Sequence, residues 1–294
     1  MTLLKTYLEL ENYEIKELDL LSEQKVPEDC KTLIIASPEK DFAELEVNAI
    51  KDYITNGGNI LWLNDVYATN VEANNIKTIL DMYGVNVRQD GIILEQDTSK
   101  MVMGQPDLIL PTVEYSEITG GIGKVLLFDS GKLEFAEDLS ALGVTKTDLL
   151  TTSEKSFYRT NLQETSTRPI EGEKEETNVV GALLEKQITD SDKISKLVII
   201  ANNLFATDRG VYTGTSENSK MAAIGFYNNR EIALNATNYL TGTEDVITIR
   251  KEMEVTKYTP TESQDTLIRL IIFGVPVLII GTGIIVWQLR RRKK

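Results

Sequence analysis

The chain has 294 residues, 41% of them hydrophobic and 26% charged, which is the composition of folded globular material with room for one or two domains. Its 31 basic and 45 acidic side chains leave a net charge of −14, which repels a phosphate backbone and argues against nucleic-acid binding. Histidine is absent and Cys30 is the one cysteine, so no intrachain disulfide, no Cys/His zinc site and no imidazole-based triad can be built.

Leu3, Leu4, Tyr7, Leu8 and Leu10 mark one face of a helix ending near Asn12, followed by a short strand over Glu14–Leu18 and a loop at Pro27. Lys31–Ala36 (KTLIIA) reads as a buried strand closed by Ser37-Pro38. Asp41 is placed to cap the next helix, with Glu44 three residues on, and that helix stops at Gly57-Gly58. Asn59–Leu63 (NILWL) is the next strand, and a helix over Val71–Tyr83 closes at Gly84. Strand, helix, strand, helix with short breaks predicts parallel βαβ units, hence an α/β fold with a doubly wound, mostly parallel sheet.

Short strands are expected at Leu108–Leu110, Val125–Phe128 and Leu149–Thr152. Glu164–Thr177 is polar, acidic and aperiodic, and reads as an exposed mobile loop. Its carboxylates fit no calcium-loop spacing, so no metal site is expected there. Regular structure resumes over Val179–Ile188, and Lys196–Ala201 (KLVIIA) is the strongest strand of the second half. A helix over Glu231–Leu240 and a strand at Val246–Arg250 complete a globular part spanning residues 1–255, with a linker at 256–269.

From Leu270 to Leu289 the chain reads LIIFGVPVLIIGTGIIVWQL, without a formal charge. At about 1.5 Å per residue this run spans roughly 30 Å, the hydrocarbon thickness of a bilayer, and predicts one C-terminal transmembrane helix. Trp287 sits near one end, at headgroup level, and Pro276 lies inside the span. Gly274 and Gly281 fall on nearly one face, where small residues let a second membrane helix approach closely. Arg290, Arg291, Arg292, Lys293 and Lys294 follow, and their charge places the tail in the cytoplasm and the bulk of the chain outside. Residues 1–30 contain no apolar export signal, so either the protein is tail-anchored with its bulk in the cytoplasm or this chain lacks an upstream exporting segment, and the strong basic cluster favours the second.

Few motifs promise chemistry. Thr119–Lys124 (TGGIGK) lacks the spacing and the following helix of a phosphate loop, and reads as a glycine-rich turn. Cys30 precedes a strand and has no histidine to activate it, so it reads as structural. Asn235-Ala-Thr237 matches a glycosylation sequon but falls inside a predicted helix. In doubly wound sheets ligands bind beyond the carboxyl ends of strands. Here those ends carry Ser37, Asn64, Asp65, Asn202 and Asn203, the candidate lining of a shallow polar cleft, although such residues also end strands for turn reasons.

Several phrases together resemble one family. They are EIKELDL at Glu14–Leu20, VPEDCKTLIIASPEKDFAELE at Val26–Glu46, DYITNGGNILWLND at Asp52–Asp65, TDLLTTSEKSF at Thr147–Phe157, GALLEKQI at Gly181–Ile188 and NNREIALNATNYLTGTEDVITIRK at Asn228–Lys251. In this order, and followed by a single apolar span, they resemble the gliding-motility-type ABC transporter auxiliary family. The resemblance implies an extracytoplasmic α/β domain, distantly like the class I glutamine amidotransferase fold, tethered beside an ABC permease. It implies no catalytic site and no cofactor, with permease and ATPase subunits and the lipid bilayer as partners. Family members commonly begin with a membrane helix and a first strand carrying a Gly-His-Gly-Glu-like phrase, which this sequence lacks. The chain is therefore expected to be the C-terminal part of a longer product or the product of a shortened gene. The family's acidic phrase after the late strand is replaced here by Ala201-Asn202-Asn203-Leu204-Phe205. The expectation is a non-enzymatic, membrane-anchored auxiliary subunit of an ABC transporter. The alternative is a sugar- or peptide-binding receptor domain using the strand-end cleft.

Overall fold

The computed structural model describes residues 1–38, 40–64, 74–189, 191–212, 220–243, 287 and 291. The chain divides into two units, residues 1–249 and 250–294. Asp65, the predicted strand Val246–Arg250, the linker, the apolar run with Gly274 and Gly281 (Trp287 apart) and the basic tail (Arg291 apart) lie outside the described residues. In the second unit the Arg291 guanidinium lies over the Trp287 ring, 5.3 Å from its centroid. Among the described residues no helix is long and apolar enough to cross a membrane.

The first unit opens with helix α1 (Thr2–Leu10), the short α2 (Leu20–Glu23), strand β1 (Thr32–Ala36), helix α3 (Glu44–Thr55), strand β2 (Asn59–Leu63) and helix α4 (Asn74–Leu80). Short strands follow: β3 (Val85–Arg88), β4 (Ile92–Leu94), β5 (Met101–Val102), β6 (Gln105–Ile109), β7 (Thr112–Val113), β8 (Leu127–Phe128) and β9 (Lys132–Phe135). Then come β10 (Val144–Thr151), β11 (Phe157–Arg159), β12 (Val179–Gln187) and β13 (Ile194–Ile200). A small ribbon of β14 (Gly210–Tyr212) and β15 (Lys220–Ala222) leads into α5 (Asn229–Thr241).

Eight strands build the central sheet, in the order β1-β2-β13-β12-β10-β7, with β9 beside β12 and β3 beside β9. Only β1–β2 and β2–β13 run parallel. The β13–β12, β12–β10, β10–β7, β12–β9 and β9–β3 ladders are all antiparallel. The expected doubly wound, mostly parallel sheet is thus replaced by a mixed one. The reason is the link between β12 and β13, which is residues 188–193 alone. A parallel connection needs a dozen or more residues to cross over, so a link this short folds back as a hairpin. Both strands are buried on both faces, as parallel strands usually are, and their composition therefore points the wrong way.

Among the described residues the one complete βαβ unit is β1–α3–β2. On one face of the sheet Leu61, Leu63, Val198 and Ile200 pack with Leu4 and Leu8 of α1 and with Ile232 and Ala236 of α5. On the other, Ile60, Trp62, Leu197 and Ile199 pack with Ile50 and Ile54 of α3 and Ile76 and Ile79 of α4. Each large apolar side chain so buried contributes about 1.5–3 kcal/mol by leaving water.

Two local expectations change. Asp41 does not cap α3, which begins after Ala43 with the Glu46 carboxylate accepting the Ala43 N–H at 2.8 Å. The Asp41 carboxylate instead accepts the N–H groups of Asn75 and Ile76, both at 2.9 Å, and so caps α4. Residues 14–18 turn Ile15 and Leu18 toward the core but join no ladder, so the expected strand there is absent. Past α4 the chain tightens into a 3-10 turn over Asp81–Tyr83 and ends at Gly84, whose φ of 64° closes the helix.

Candidate functional site

Because β1, β2 and β13 are parallel neighbours, their carboxyl ends lie side by side. The ladder continues one residue past them: Ser37 N–H donates to Leu63 O at 2.8 Å, and Asn64 N–H donates to Ile200 O at 3.0 Å. Ser37, Asn64, Asn202 and Asn203 are therefore gathered at one end of the sheet.

Their side chains differ in what they have left to offer. Asn202 is 1% exposed, donates to Phe128 O and accepts the Phe205 N–H at 3.0 Å. It joins β8 to the turn after β13, and both its polar atoms are used. The Asn64 Oδ1 accepts from Trp62 Nε1 at 3.2 Å and from Gln89 Nε2 at 3.4 Å. Ser37 sits in the left-handed region at φ 48°, and its buried Oγ has no hydrogen-bond partner among the described residues; the same holds for Asn203 Oδ1. A buried polar atom left unpaired costs about 1–3 kcal/mol, so these two oxygens are the residual binding capacity of the site. With β2 between them, Ser37 and Asn203 stand about two strand spacings apart, roughly 9–10 Å.

The β13 side of this end is covered. Ala201 O accepts Gly131 N–H at 2.9 Å and Ser130 Oγ–H at 3.1 Å, so the turn after β8 folds over the strand end. Among the described residues this sheet end offers single polar atoms, Ser37 Oγ and Asn203 Oδ1.

The other sequence motifs are structural. In the TGGIGK turn the Gly123 and Lys124 N–H groups donate to Asn228 Oδ1 at 3.0 and 3.1 Å, so a side-chain carbonyl occupies the place an anion would need. Asn235 is buried in α5 and donates to Ile118 O at 3.1 Å, which hides the sequon. The Cys30 thiol is half-buried, 3.9 Å from Tyr53 Oη, and burial pushes its pKa up, away from the reactive thiolate. Among the described residues no three of Cys, Asp or Glu are placed to hold a metal ion.

One cluster escapes sequence reading. The Tyr158 ring has the Arg88 guanidinium 4.8 Å and the Lys132 ammonium 5.4 Å from its centroid, and its hydroxyl donates to Asp90 at 3.0 Å. Arg88 pairs with Asp90 at 2.7 Å, and Lys132 with Glu176 at 3.3 Å. Arg88 holds the Asp90 carboxyl below its ordinary pKa. These residues come from β3 and the turn after it, β9, β11 and the segment before β12, and no local spacing could announce the meeting of all of them. Each charge has an opposite neighbour, so the cluster braces the fold.

Fold and site together define a sheet-rich domain of mixed strand direction whose strand-end groups mostly serve its own backbone. The family described as "ABC-type uncharacterized transport system" matches residues 2–236, and the chain belongs to it. No curated protein matches the sequence. Among solved structures the chain is similar to the mmIFT52 N-terminal domain, at 16% identity and a TM-score of 0.53, over 81% of this chain and 88% of that one. That likeness concerns the fold alone. A ThuA-like protein from Bacteroides uniformis aligns at 12% identity and a TM-score of 0.33, over 71% of this chain and 69% of that one.

Proposed function

We propose that the protein is a membrane-anchored, non-enzymatic auxiliary subunit of an ABC transporter, with its mixed-sheet domain outside the cytoplasm and its partners the permease and ATPase subunits. The observation that carries this reading is membership of the transport-system family over residues 2–236 in a chain that ends in an uncharged apolar run and five cations. The positive-inside rule supports a cytoplasmic tail. The absence of histidine from the sequence and the structural hydrogen bonds of Asn64 and Asn202 support a role without catalysis.

The test is two-sided. Protease added to intact cells removes the domain if it lies outside, whereas full protection refutes that placement. Co-purification of permease and ATPase with the full chain supports the partnership. Gly281→Leu is expected to weaken it and Ile279→Leu to leave it intact; equal retention shows that the span is a tether without a packing face.

A receptor role is the second reading, favoured by the unpaired Ser37 and Asn203 oxygens. It predicts saturable binding of a sugar or peptide that Ser37→Ala and Asn203→Ala weaken.

A further inference from the structure

Helix α3 gives way at Asn56-Gly57, the one Asn-Gly pair in the sequence. Gly57 takes φ 85°, a left-handed conformation that suits glycine. Two backbone bonds lock the turn: Gly57 N–H donates to Ile54 O at 2.9 Å, and Gly58 N–H donates to Tyr53 O at 2.8 Å. The exposed Asn56 side chain lies back on the helix, its Nδ2 donating to Asp52 O at 2.8 Å.

The same turn opens β2. Tyr53 Oη donates to Asn59 O and accepts Asn59 N–H, both at 3.2 Å, while Gly58 O accepts from Ser195 Oγ. The Asn59 side chain accepts Lys196 N–H at 2.9 Å and donates to Leu240 O at 2.7 Å. Residues 56–59 therefore join α3, β2, β13 and α5.

An asparagine followed by glycine carries a reaction of its own. The glycine nitrogen, giving its proton to water, attacks the asparagine Cγ and expels ammonia. The five-membered succinimide so formed takes up water at either carbonyl, leaving aspartate or isoaspartate. Glycine favours the attack because no Cβ crowds the nucleophile. Ring closure needs the Asn56 Cβ and the Gly57 nitrogen nearly eclipsed about the Cα–C bond. Asn56 has ψ 6°, so its own nitrogen eclipses Gly57 N and its Cβ stands away. The nucleophile is engaged with Ile54 O and the leaving amide with Asp52 O. The closed turn is unreactive on three counts, and opening it lifts all three together.

We propose that Asn56 is a site of spontaneous deamidation gated by the end of α3, converted to isoaspartate and aspartate in molecules whose last helical turn has opened. Such local openings cost less than global unfolding, so the site reacts in the native population. The step runs one way. Isoaspartate routes the backbone through Cβ and Cγ, an added methylene that the two bonds of the turn cannot span. Either product also sets a carboxylate at the carbonyl end of α3, where the helix dipole opposes it, and takes the Nδ2 donor from Asp52 O. The proposal stands on this turn alone and holds whatever the protein serves.

The test incubates the full chain at mildly alkaline pH beside a synthetic peptide of residues 51–61. Peptide mapping follows residue 56, and enzymatic methylation reads isoaspartate. The folded chain is expected to react at least about tenfold more slowly than the peptide, by the same factor that protects the Gly57 and Gly58 amides from hydrogen exchange, since one opening gates both. Tyr53→Phe removes the hydroxyl that ties the turn to Asn59, and is expected to speed deamidation and exchange together by about fivefold. Asn56→Gln, whose ring would need a sixth member, is expected to stay unmodified. A folded chain that reacts as fast as the peptide would overturn the proposal. So would a chain that stays unmodified longer than its exchange protection accounts for, or a folded Tyr53→Phe in which exchange quickens and deamidation does not.

Discussion

The Arg159 guanidinium holds the Glu173 carboxylate with two parallel bonds, Nε to Oε1 at 2.8 Å and Nη2 to Oε2 at 2.7 Å. The same guanidinium donates to Ser166 O and, at 2.9 Å, to Arg168 O, so a single side chain, 2% exposed, gathers the acidic segment that precedes β12. Removing one partner of a buried pair strands the other charge. Glu173→Ala is expected to cost about 3 kcal/mol in urea unfolding. A change below about 0.5 kcal/mol would show that the segment is held by something else.

The same pair sets a pH dependence. Arg159 holds the Glu173 carboxyl below the ordinary glutamate value. With the folded pKa depressed, the stabilisation is fully present above the unfolded value of about 4.3 and is lost as pH falls through the lower folded value. The difference in Tm between wild type and Glu173→Gln is therefore expected to stay constant from about pH 7 to pH 5.5 and to shrink below about pH 4. A difference undiminished at about pH 3 would contradict this assignment.

Where β4 meets β11 the backbones come unusually close. A Cβ on Gly91 would sit on the Arg159 carbonyl, which is backbone and has no side chain to swing away. Gly91→Ala is expected to cost about 2–3 kcal/mol, because one strand must move. Gly120→Ala is the control: there the nearest atom, Ser116 O, is 3.5 Å away, and the change is expected to be near neutral by thermal melting.

Asn229 is fully buried at the start of α5. Its Oδ1 accepts the Leu126 N–H at 2.8 Å, while its Nδ2 donates to Leu126 O at 2.9 Å and Ala223 O at 3.0 Å. Asn229→Asp sets a carboxylate against those carbonyl oxygens. The expected loss is about 3 kcal/mol or more at neutral pH, smaller in acid where the carboxyl is protonated, as chemical denaturation at the two pH values will read.

At Cys30 burial raises the thiol pKa. Alkylation by iodoacetamide at neutral pH is expected to be slower than for a free cysteine, and Cys30→Ser is expected to leave complex assembly unchanged. Rapid modification at neutral pH would mean an activating neighbour that the half-buried site does not show.

KTLIIA, NILWL and KLVIIA read plainly as strands because each concentrates β-branched and apolar residues between turn signals, and β1, β2 and β13 fall within two residues of those bounds. Their parallel alignment places Ser37, Asn64, Asn202 and Asn203 at one sheet end, while Asp65 lies outside the described residues. What the sequence hid depends on distant partners. Asp41 finds α4 more than thirty residues on, and Asn202 finds Phe128 O 74 residues back. Strand direction was hidden too, since a doubly buried strand has one composition whichever way its neighbour runs. The short link at 188–193 held the information, and its length was the signal to weigh.

The mixed sheet has a seam. In β13, Val198 faces Leu183 on the hairpin side and Leu61 on the other, and Leu61 lies more than 130 positions earlier in the chain. The hairpin and the β1–α3–β2 unit each close through short loops, but joining them requires the ends of a very long loop to meet before any contact rewards the meeting. The two halves are therefore expected to acquire local order first, with the zipping of β2 onto β13 setting the pace of folding. Until it happens, each half exposes one unpaired edge of the future core, and the interval in which the chain is most prone to stick to its neighbours is the time that this one seam takes to close.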